Sequence, residues 1–132
     1  MNKIIFAKPE LAIIRAAIEL VLSKSEFVLM LHKKFCVLDC GFVGQKVAEA
    51  ELTHIHYLCE CELKKPQSVI FYDILIEHIY KLIDFFNSNP KHFEILFDHL
   101  KLTHNYFKDE LHNILNDIIT RCETVPFLFL KD

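Results

Sequence analysis

Most of the chain reads as apolar stripes at helical spacing. Between Leu11 and Leu22 only Arg15 and Glu19 interrupt an apolar run. Pro9 suits a first helical turn, because its missing N–H would find no partner there anyway. A helix is therefore predicted over 9–22, apolar nearly all round. Such a helix is either central to its fold or covered by a partner. Ser23 with Glu26 three residues on has the form of a capping box, and it predicts a second helix carrying Phe27, Val28, Leu31, Phe35 and Leu38. Asp39 to Gly44 reads as a turn, with both glycines inside it. A third helix is predicted over 45–65 from the stripe Ala48, Leu52, Ile55, Cys59 and Leu63, ending at Pro66. A fourth is predicted over 68–86, with Phe71, Leu75, His78, Leu82 and Phe85 as its seam. Its wet face holds Asp73, Glu77, Lys81 and Asp84, and Glu77 with Lys81 is a favourable i,i+4 pair. Asn87-Ser88-Asn89-Pro90 is a turn. From Lys91 one long last helix is predicted, its seam being Phe93, Phe97, Leu100, His104, Phe107, Leu111, Ile114 and Ile118.

Short connections at 39–44, 65–67 and 87–90 imply antiparallel neighbours. The expectation is an all-α, antiparallel bundle of four to five helices forming a single domain over 1–132. The β-favouring residues Ile4 to Phe6 could pair with the tail Phe127 to Leu130, giving a short terminal β pairing. The competing architecture is α+β, with residues 34–38 and both termini in a small sheet.

Composition narrows the function. A chain of 132 residues that is 52% hydrophobic suits one well-filled core. A net charge of −3 disfavours a nucleic-acid binder that works by neutralising phosphates. The apolar run 11–22 falls short of the ~20 residues that span a bilayer, so no membrane partner is expected. No uninterrupted secretory segment is present. The five cysteines are odd in number, and four lie in the close pairs Cys36/Cys40 and Cys59/Cys61. They read as reduced thiols in a cytoplasmic protein. No nucleophile elbow or glycine-rich phosphate loop occurs, so no catalytic residue is assigned and the chain is read as non-enzymatic.

Eight histidines stand out as candidate chemistry. His78 and His104 occupy seam positions on adjacent predicted helices, so both imidazoles face the predicted core. A buried polar group without a partner costs about 1–3 kcal/mol. Each ring would therefore bond a backbone carbonyl, Tyr or Asn, or the two would share a metal or form a pH-sensitive pair. His56 and Glu60 are i,i+4 on the third helix, at the boundary of its apolar stripe, where a solvated helix face is the plainer reading. A zinc grouping of Cys36, Cys40, His54, His56, Cys59 and Cys61 is disfavoured. Residues two apart on a helix point away from each other, which separates Cys59 from Cys61.

The set His32, His56-x3-Glu60, Glu77-His78 and His104-x4-Asp109 resembles the ligand pattern of hemerythrin-like (HHE) four-helix bundles. The segments HIHYLCECELKKP and THNYFKDEL look like that family's metal-bearing helices. The resemblance spans residues 32 to 110 and implies a non-haem di-iron site in the bundle core, used for oxygen binding or iron sensing. His32, His56, His78 and His104 would then be terminal ligands, with Glu60 and Asp109 as bridging carboxylates. Two departures are visible. Ile74 stands where the family usually has a further histidine, and the chain has no tryptophan.

The leading expectation is a non-enzymatic helical interaction module without a cofactor, with iron as the alternative cofactor. Twelve phenylalanines, the all-round apolar first helix and the tail Phe127-Leu128-Phe129-Leu130 suggest more apolar surface than a small bundle hides. Leu11, Ile14 and Ile18 on the first helix, with Phe127 and Phe129, are the expected contact residues for a protein partner or for self-association as a dimer.

Overall fold

A computed structural model describes residues 4–35, 41–69 and 71–124, with side chains throughout except at 34–35 and 41–44. These residues form six helices and no strand: α1 (Lys8–Leu22), α2 (Ser25–Phe35), α3 (Gly41–Lys64), α4 (Asp73–Asn87), α5 (Pro90–Leu100) and α6 (Lys108–Cys122). The all-α expectation holds. The tail residues 127–130, and with them the expected terminal β pairing, lie outside the described residues.

α1 begins where Pro9 predicts. Glu10 accepts a 2.7 Å bond from the N–H of Ala7, the residue preceding the helix. Arg121 Nε, on α6, lies 2.9 Å from the same buried carboxylate. α1 is in contact with all five other helices. Of the two explanations for its all-round apolar surface, the central position is the right one. Leu11, Ile14 and Ile18 are buried among the chain's own helices. They offer no surface to a partner, which corrects their assignment as contact residues. The aromatic surplus is also mostly internal, since Phe107 alone of the eight described phenylalanine side chains is exposed.

Ser23 does not cap α2. It closes α1, its hydroxyl donating to the Leu20 carbonyl at 2.7 Å and its N–H to the Glu19 carbonyl at 3.1 Å. Both glycines lie in the first turn of α3 rather than in a turn before it. Near a helix start their extra backbone freedom is least damaging.

α3 stops at Lys64, just before Pro66, and α4 starts at Asp73 instead of the predicted Ser68. The delay has a side-chain cause. The buried Glu62 carboxylate accepts from the backbone N–H groups of Gln67 (2.9 Å), Ser68 (3.0 Å) and Val69 (3.2 Å). Those donors are thereby held in a turn, in which Gln67 takes the left-handed conformation (φ 66°).

The predicted last helix is two helices. α5 starts as expected after Asn89, whose side chain accepts from the Lys91 and His92 N–H groups. It tightens after Leu100 into three-residue turns, Leu102 N–H to His99 and Thr103 N–H to Leu100. Thr103, His104 and Asn105 are indifferent helix formers, so little resists the break. Glu110 then accepts from the Phe107 N–H at 3.1 Å and opens α6. The break shifts the buried face of α6 to Leu111, Leu115, Ile118 and Cys122. Buried residues from all six helices belong to one hydrophobic core. No described helix is long and apolar enough to cross a membrane.

Candidate functional site

The four-and-three spacing of α4 aims His78 inward, and the ring is buried with its Nδ1 2.8 Å from Glu51 Oε2 on α3. Burial pushes the imidazole below its ordinary protonation range. The Glu51 carboxylate opposes that shift.

His104 is not a second core imidazole. It lies in the α5–α6 connection, half-buried, with its Nδ1 2.8 Å from Thr103 Oγ1 and its ring stacked on Tyr106. The helical phase that would have turned it inward is lost at Leu100. Asp109 is exposed in the first turn of α6. His32 is buried on α2, and its Nδ1 has no hydrogen-bond partner among the described residues.

His56 is half-buried on α3, with Nε2 2.8 Å from Glu19 Oε2 on α1 and Nδ1 3.3 Å from Glu60 Oε1. It is an α1–α3 link at the surface, and Glu60 turns along the helix toward it rather than into the core. Sequence spacing placed His56 beside Glu60, but nothing local in the sequence pointed to Glu19.

Among the described residues, no three His, Cys, Asp or Glu side chains are grouped so as to hold a metal ion. The six residues that the family resemblance implied as iron ligands do not fit a di-iron site in this arrangement. Cys59 and Cys122 are buried and behave as small apolar residues. Burial pushes the Cys59 and Cys122 thiols up to about 12. Cys61 is a free, half-buried thiol, and Cys36 and Cys40 lie outside the described residues.

The clearest candidate surface is on α2. Phe27, Val28, Leu31 and His32 turn inward, which leaves Leu29 (42% exposed) and Met30 (45% exposed) outward as an adjacent apolar pair. Beside them opens a cleft of about 380 Å³ lined by Met30, Lys33, Phe85, Ser88, Asn89 and His92. Three elements build it: α2, the end of α4, and the start of α5. His92 is fixed in its wall, stacked on Phe85 and edge-on to Phe27, with Nδ1 3.3 Å from the Phe85 carbonyl oxygen. Leu102 and Phe107 are more exposed, but both belong to the α5–α6 connection and its edge, and the hollow of about 520 Å³ there is lined by the described residues 101 and 104–107. Sequence reading missed the α2 pair, because Leu29 and Met30 look like two more apolar residues until the inward face of α2 is known.

The chain matches no protein-family model, no curated protein and no solved structure.

Proposed function

We propose that this chain is a non-enzymatic interaction module, an antiparallel bundle packed around α1 that self-associates through the outer face of α2. The supporting observation is the adjacent exposed pair Leu29 and Met30 beside a preformed cleft of about 380 Å³. Exposed apolar side chains scattered singly need no explanation; here two adjacent ones stand beside a preformed cleft, which is what supports the reading. The free thiols of Cys59, Cys61 and Cys122 suit a reducing, cytoplasmic setting.

Sedimentation velocity across a micromolar-to-millimolar range tests this reading. The expected result is a species heavier than the 15.6 kDa chain at the upper concentrations. It should be lost on Met30→Asp without loss of helicity. A monomer at every concentration would end the proposal. Elemental analysis of freshly purified protein separates it from the iron-bundle alternative, since stoichiometric iron would replace it.

A further inference from the structure

The exposed face of α2 carries more than its apolar pair. Glu26, Leu29, Met30 and Lys33 follow one another at spacings of three, one and three, and all four are exposed. On a helix these spacings place them in one stripe. Glu26 and Lys33 are seven residues, or about 10.5 Å, apart along the axis, with the apolar pair between them. Neither charge is used in an ion pair within the described residues.

The stripe reads the same in both directions, in the sense that matters for a two-fold axis. Turned end for end, charge-apolar-apolar-charge becomes charge-apolar-apolar-charge, with the signs exchanged. We infer that the occupant of this face is a second copy of the same chain, with the two α2 helices antiparallel about an axis between Leu29 and Met30. This rests on the self-association reading above and supplies its geometry. Each Glu26 then meets Lys33 of the second copy, and the Leu29 and Met30 side chains of both copies gather about the axis. An isologous interface requires this kind of self-complementarity. A parallel arrangement would instead set Glu26 against Glu26 and Lys33 against Lys33.

Lys33 and Met30 also line the cleft toward Phe85 and His92, so apolar wall continues from the stripe into the core side of α2. The contact is nevertheless small. Four side chains on an 11-residue helix, with part of one cleft, fall below the ~1,600 Å² that a stable interface buries. The dimer is therefore weak and concentration-dependent. Its two ion pairs lie at the rim, so added salt weakens it further.

Charge reversal tests the register. Glu26→Lys places two lysines together at both ends of the interface, and Lys33→Glu places two glutamates together. Each single variant should lose about tenfold or more in association. The double variant Glu26→Lys/Lys33→Glu should regain it, as should an equimolar mixture of the two single variants, which can pair only with each other. Both substitutions fall on exposed positions, and circular dichroism checks that helicity is kept. If wild type associates and Met30→Asp abolishes it, but the single reversals still associate or the double variant and the mixture do not recover, the antiparallel register is wrong. The α2 interaction face survives that outcome. If wild type stays monomeric throughout, both fall.

Discussion

His78 shows what one buried imidazole does to this protein. The residue is 3% exposed and its Nδ1 lies 2.8 Å from Glu51. Burial favours the neutral ring, and the Glu51 carboxylate only partly offsets this. The unfolded chain therefore binds the proton more readily than the folded chain. With more protons on the unfolded state, stability rises with pH. The His78 contribution is complete above about 6.5, the ordinary histidine value. It declines as the pH falls below that and levels off once the folded-state value is passed. Urea midpoints measured from neutral to mildly acidic pH should fall, and the fall should be smaller in His78→Asn. An identical slope in the variant would show that other groups cause the pH dependence. The seam spacing made this inward histidine readable. Its partner Glu51 was not, because it comes from a different helix.

At the level of elements, the informative places are the ends of helices. Helix bodies follow their apolar period: Ala48, Leu52, Ile55 and Cys59 are buried on α3, and Phe71, Leu75, His78, Leu82 and Phe85 on or next to α4. Their ends depend on which side chain captures which backbone donor. Glu62 withholds three N–H groups from α4, Ser23 closes α1, and Glu110 restarts the chain as α6. Removing the carboxylate with Glu62→Ala should cost about 1–3 kcal/mol in a urea melt, the range for leaving such backbone donors without an acceptor. Gln67→Gly should stabilise the same turn by up to about 1 kcal/mol, since left-handed backbone costs a residue with a Cβ about 1–2 kcal/mol and glycine's greater unfolded entropy takes part of that back. A neutral Glu62→Ala would mean that the turn is held by something other than this carboxylate.

For the whole molecule, the decisive fact is the position of α1. A helix so apolar could equally have been the heart of the bundle or half of an interface. The structure makes it the heart, in contact with every other helix. Ile18→Ala should therefore cost about 2–5 kcal/mol, as buried large-to-small changes do, and the cost should not vary with protein concentration. A cost that grows with concentration would return α1 to an interface. The same arrangement accounts for the misplaced metal residues. The seam carrying His104 was continuous only if residues 91–118 were one helix. Once the chain turns at 101–107, His104 leaves the core and the histidine set spreads over separate parts of the fold.

Local order and periodicity by themselves determined that the chain is helical, where most helices run, and which faces of α3 and α4 are apolar. These follow from side chains three and four residues apart sharing a face, which needs no knowledge of the rest of the chain. Only the tertiary structure decided that α1 is central, that Glu19 meets His56 and Glu51 meets His78, and that Leu29 and Met30 are left outside. Those outcomes depend on which apolar faces compete for the same interior, and the competition involves residues far apart in the chain.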